Sequence, residues 1–74
     1  MDDADMLIAQ SIESGECIEA EAESDSSDVC DELESQCSQS KRIVAGEGRM
    51  DSVVYSGETS EGEWSVRVYL EDSK

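Results

Sequence analysis

Trp64-Ser65-Val66-Arg67-Val68-Tyr69-Leu70 sets an apolar residue at every second position, with Ser65, Arg67 and Tyr69 between them. Period two is the sign of a strand with one buried face, and the reading extends over residues 63–71. Upstream, Val53, Val54 and Tyr55 mark a less cleanly phased strand over residues 50–57. The intervening Gly57-Glu58-Thr59-Ser60-Glu61-Gly62 is made of glycine and polar residues and suits a longer hairpin connection. An antiparallel hairpin therefore anchors the C-terminal half.

A second strict alternation lies at residues 16–23. Ile18, Ala20 and Ala22 point one way; Cys17, Glu19, Glu21 and Glu23 point the other. Strand geometry puts successive glutamates roughly 6.5–7 Å apart, close to the phosphate repeat along one DNA strand. A solvated edge strand would explain the alternation, but not why all three outward charges are acidic. Ser24 to Ser27 read as a turn with N-cap candidates.

From Asp28 the spacing of Val29, Cys30, Leu33, Cys37 and Val44 predicts a helix over 28–40, extending as far as 45, with Asp28, Asp31 and Glu32 outward near its start. Lys41 and Arg42 would occupy its last turn, with Gly46 closing it and Gly46 to Arg49 as a connector. Ile43 to Ala45 could instead form a short strand. Residues 2–14 read as another helix, with Ala4, Leu7, Ile8, Ser11 and Ile12 on one face, Asp2 or Asp3 as cap and Gly15 at the left-handed C′ position. A strand there is the rival. The expected fold is one α+β domain over residues 1–74, a three-stranded or four-stranded, mostly antiparallel sheet on one or two helices. Its order is αβαββ or ββαββ, with Trp64, Val66, Val68, Ile18, Ala20, Leu33 and Val29 in the core.

Leu, Ile and Val total thirteen, Phe is absent and the net charge is −15. That composition borders on disorder, and a chain of this size buries only about 60% of its unfolded surface. The regular patterning argues for a folded domain. Cys17, Cys30 and Cys37 are an odd set and are read as small buried hydrophobes in a reducing cytosol. The longest apolar run near the N-terminus, Met6 to Ala9, fits neither a signal segment nor a membrane span. Metal and cofactor sites are not expected. His is absent, the cysteine spacing does not suit zinc, and Asp25, Asp28 and Asp31 lack the pattern of a calcium loop. With no His for a general base and too little chain to wall off a cleft, an enzyme is not expected.

The charge is one-sided. Residues 1–40 hold thirteen carboxylates and no base, a charge of −13; residues 41–74 hold seven acids against five bases, a charge of −2. Such a field repels nucleic acid and anionic membrane and attracts a basic partner. About twenty charges span roughly one turn of duplex DNA, and this chain carries twenty on a body expected to be roughly 25–30 Å across.

The stretch Glu16-Cys17-Ile18-Glu19-Ala20-Glu21-Ala22-Glu23, followed by Asp28, Asp31, Glu32 and Glu34, makes the chain resemble small, acidic, phage-encoded inhibitors that imitate DNA. Uracil-DNA glycosylase inhibitors and anti-CRISPR proteins are similar in size, acidity and α+β character. The resemblance is of kind, covers a little over half the chain and points most closely to anti-CRISPR proteins of the type I class, subtype I-C included. It implies a protein of the host bacterial cytosol, monomeric or a small homo-oligomer, that occupies the basic cleft where a Cascade complex receives target DNA. Glu16, Glu19, Glu21, Glu23, Asp28, Asp31, Glu32 and Glu34 would be its partner-binding residues. Two other readings compete: a halophilic protein with acidity all round, and an acidic interaction module for a different basic protein.

Overall fold

The computed structural model describes residues 3–23, 27–44 and 51–70. In chain order they form helix α1 (Asp3–Ser14), strand β1 (Ile18–Ala22), helix α2 (Asp28–Gln36) and strands β2 (Gln39–Ile43), β3 (Asp51–Thr59) and β4 (Gly62–Leu70). The strands make one sheet in the order β1-β4-β3-β2. β1 runs parallel to β4, while β4–β3 and β3–β2 are antiparallel. The four-stranded α+β expectation holds; α1 is a helix, as in the αβαββ order, and one strand is added after α2, giving αβαβββ. The Asp2 cap, the turn at 24–26 and the connector at 46–49 lie outside the described residues.

The added strand is β2, where the sequence predicts the end of a helix or, over Ile43 to Ala45, a short strand; Ile43 does belong to β2, Val44 does not, and Ala45 lies outside the described residues. α2 stops at Gln36, and Cys37 turns to an extended conformation (φ −78°, ψ 155°). The Ser38 N–H then donates to the Ser56 carbonyl at 2.8 Å. Nine-residue β3 has one side on β4 and would otherwise leave its other ladder groups open, so the segment after α2 is drawn into the sheet. Lys41 and Arg42 therefore stand on an edge strand instead of a last helical turn. Val44, expected on the helix's apolar face, is 69% exposed. The hairpin differs too. Its strands run on to Thr59 and from Gly62, leaving only Ser60 and Glu61 between them, and Gly57 lies inside β3. The Thr59 hydroxyl steadies the turn, donating to the Gly62 carbonyl and accepting the Glu61 N–H, both at 3.1 Å.

One face of the sheet carries the helices. Trp64, Val66, Val68 and Leu70 of β4 meet Val53 and Tyr55 of β3, Ala4 and Ile8 of α1, and Cys30 and Leu33 of α2. Val66, Val68 and Leu33 have no exposed surface. Ile18 and Ala20 of β1 point to the same side but are only half-buried, because β1 is an edge. Gly15 closes α1 at φ +74°, its N–H donating to the Ser11 carbonyl at 2.8 Å, as the sequence predicts.

Two small residues hold this layer in register. Ser11, 2% exposed on α1, donates its hydroxyl to the Glu16 carbonyl at 2.9 Å and accepts the Ser65 N–H at 2.8 Å. β1 starts to pair with β4 only at Val66, so Ser11 satisfies the ladder group just before it. Gly57 faces Trp64 across the β3–β4 pair, and a Cβ there would lie 2.8 Å from the indole. The ring thus lies against the strand where a side chain is missing.

Ser11→Ala orphans two backbone groups and should destabilise the fold by about 1–3 kcal/mol, read by chemical denaturation. Gly57→Ala should cost about 1–3 kcal/mol by overpacking and displace the single tryptophan, shifting its emission to the red. Burial pushes the Tyr55 phenol upward, aided by its hydrogen bond to the Cys30 thiol. An unfolded tyrosine ionises near about pH 10. Above that value the unfolded chain sheds a proton the folded chain keeps, so stability falls as pH rises and is unaffected by this group below it. Tyr55→Phe should flatten that alkaline slope in denaturation curves.

Candidate functional site

Helical geometry arranges the carboxylates of α2. Cys30 and Leu33 turn into the core, with Val29 and Cys37 beside them. At about 100° per residue this leaves Asp28, Asp31 and Glu32 on the outward arc and Glu34 on its flank, all four exposed. On α1 the inward stripe of Ala4, Ile8 and Ser11 likewise leaves Asp3, Asp5 and Glu13 exposed. The two helices touch, and the Gln36 side-chain amide donates to Asp5 Oδ1 at 3.1 Å, tying the end of α2 to the start of α1. The helical layer thus carries seven carboxylates, and neither helix contains a lysine or arginine.

β1 presents its acids elsewhere. Register places Glu19 beside Arg67 and Glu21 beside Tyr69, on the sheet face turned away from the helices. Glu19 is already engaged, since the Tyr69 hydroxyl donates to its Oε2 at 3.1 Å. The same hydroxyl is the main influence pushing the Arg67 guanidinium further up than an ordinary arginine. Glu23 follows β1 and is exposed; Glu16 precedes it, its side chain exposed while its backbone carbonyl receives Ser11.

All eight carboxylates singled out in the sequence are therefore on the surface. The structure gathers Asp28, Asp31, Glu32 and Glu34 on one helix and Glu19 and Glu21 on one strand, with the sheet between the two sets. It adds Asp3, Asp5 and Glu13 of α1, which the sequence reading did not include in the site. Their signal was available: the helical stripe over residues 2–14 turns these acids outward, with no base among them. The described bases, Lys41, Arg42 and Arg67, all belong to the sheet, and Arg42 meets Asp51 at 3.1 Å.

The cysteines divide. Cys30 is buried against Tyr55, and Cys37 is half-buried with its thiol pushed up by that burial. Cys17 is exposed, contrary to the expectation that all three lie inside, because it stands before the β1 edge where no helix covers it. All three are free. Among the described residues no group of three or more His, Cys, Asp or Glu is placed to hold a metal ion, and no helix is long and apolar enough to cross a membrane. The chain matches no protein-family model, no curated protein and no solved structure, so its functional reading rests on this distribution of charge.

Proposed function

We propose that the protein is a DNA-mimic inhibitor that presents its carboxylates to the basic DNA-binding cleft of a CRISPR effector complex, a type I Cascade, and blocks target DNA. The observation that carries this reading is the helical layer with seven acids and no base. Asp28 stands three and four residues from Asp31 and Glu32, where like charges destabilise a helix by about 0.2–0.5 kcal/mol per pair. Solubility needs no such arrangement, since mixed signs achieve it without the repulsion. A basic groove would turn the same repulsion into attraction. Generic acidity for high salt would leave the two layers alike, whereas here the sheet holds all the described bases. The choice of Cascade over another basic protein rests on the resemblance in size, acidity and α+β character.

The two acidic sets distinguish kinds of cleft. A flat basic patch would meet the helical layer alone, while a cleft gripping duplex DNA from two sides would also meet Glu19, Glu21 and Glu23 at the β1 edge. The reading includes both sets, with α2 as the principal contact because Glu19 is already engaged by Tyr69.

Against purified type I-C Cascade, the double change Asp28→Lys and Asp31→Lys should weaken binding by about 2–5 kcal/mol. Glu58→Lys with Glu61→Lys should change it little beyond the general field. A loss at Glu19→Lys with Glu21→Lys would mark a cleft that grips both faces. Affinity should fall steeply with salt, and excess target duplex should displace the protein. Binding that persists under saturating duplex would defeat DNA mimicry, and binding to a different basic protein alone would favour the interaction-module reading.

A further inference from the structure

The sheet face opposite the helices carries no second layer among the described residues, and its rows follow from the register. Glu63 faces Glu58; Ser65 faces Ser56, with Gln39 beyond; Arg67 lies between Glu19 and Val54, with Lys41 beyond Val54. Lys41 and Arg67 thus share one row on one face. Two inter-strand steps place their Cα atoms roughly 10 Å apart, within joint reach of two long side chains. A groove of about 310 Å³ opens there, bordered by both cations together with Val54, Ser56 and Gln39.

Charge makes this row unusual. The chain has twenty acids against five bases, yet among the described residues neither Lys41 nor Arg67 forms an ion pair, whereas Arg42 does. Arg67 turns instead to the Tyr69 hydroxyl, itself committed to Glu19 Oε2. Its Nε–H is covered and has no acceptor. Buried donors without partners are rare in native proteins and call for a missing acceptor. Because Nε is covered, an oxyanion in the groove would be met by the Nη groups of Arg67, which can donate to it in bidentate fashion.

We propose that this groove is a binding site for a small oxyanion of the size of inorganic phosphate, held between Arg67 and Lys41, with the Ser56 hydroxyl and the Gln39 amide as neutral donors. The surroundings set the size of the ligand. Glu19 and Glu21 stand along one side and Glu58 and Glu63 at one end, so an extended polyanion crossing the face would meet them. A single compact anion would not. The net charge of the whole chain acts weakly here at physiological salt, where the screening length is about 8 Å. The site lies on the face away from α2 and stands independently of the inhibitor reading.

The test is an amide NMR titration with inorganic phosphate against chloride of matched ionic strength, with a short oligodeoxynucleotide as second probe. Saturable shifts confined to Lys41, Val54, Ser56 and Arg67 are expected. Lys41→Gln and Arg67→Gln should each weaken them about tenfold while helix resonances stay in place. Lys41 is exposed on an edge strand, so its variant keeps the test valid if Arg67→Gln disturbs folding. Arg67→Lys should retain charge but lose part of the affinity, as bidentate geometry requires. Shifts that never saturate, saturate equally in Lys41→Gln, or are matched by chloride would overturn the site. Tighter binding of the oligonucleotide than of phosphate would overturn its restriction to small anions.

Discussion

The packing of β4 is the constraint on which the rest of the molecule depends. Its inner residues, Trp64, Val66, Val68 and Leu70, are all buried, in a chain with few large hydrophobes. Flanked by β1 and β3 and covered by α1, this strand is where both halves of the chain meet. Few contacts are spare in so small a core, and self-repulsion from a net charge of −15 works against them. The small residues at its boundary matter for the same reason. Ser11 closes the polar seam between α1 and β4, and Gly57 leaves room for the indole.

Around that core the charge separates by layer. Helices can turn acids outward along most of their circumference once a narrow stripe is buried, and α1 and α2 do so without a balancing base. The sheet mixes signs because its strands bring distant segments side by side: Glu19 of β1 stands beside Arg67 of β4, and Arg42 of β2 forms an ion pair with Asp51 of β3. The result is a helical layer that holds no described base, laid on a sheet that holds both signs. Under the two proposals, a basic partner would meet the helical side and a compact anion the groove on the other.

Legibility followed periodicity. β4, β1 and α1 were readable because each has a buried and an exposed face, so the burial pattern is written into residue order. The first two turns of α2 were readable for the same reason, and with them the outward position of Asp28, Asp31 and Glu32. β2 was not. Gln39-Ser40-Lys41-Arg42-Ile43 is exposed along nearly its whole length and buries no face, so it has no alternation to read. The hairpin loop was overdrawn because Gly57 looks like a turn residue, and only Trp64 opposite it explains a glycine inside a strand.

The sequence by itself determined the α+β class, the segregation of acids toward the first half of the chain and the outward direction of Glu19 and Glu21 on β1 and of Asp28, Asp31 and Glu32 on α2. These depend on local spacing and on which residues can enter an apolar core. Tertiary structure alone decided where α2 ends, because the open side of β3 captured the segment that follows. It also decided that the β1 and α2 carboxylates stand on opposite sides of the sheet, and that Arg67 and Lys41 share a row. Strand order and register are set by pairing between segments far apart in the chain, and no local pattern encodes which edge a strand will occupy.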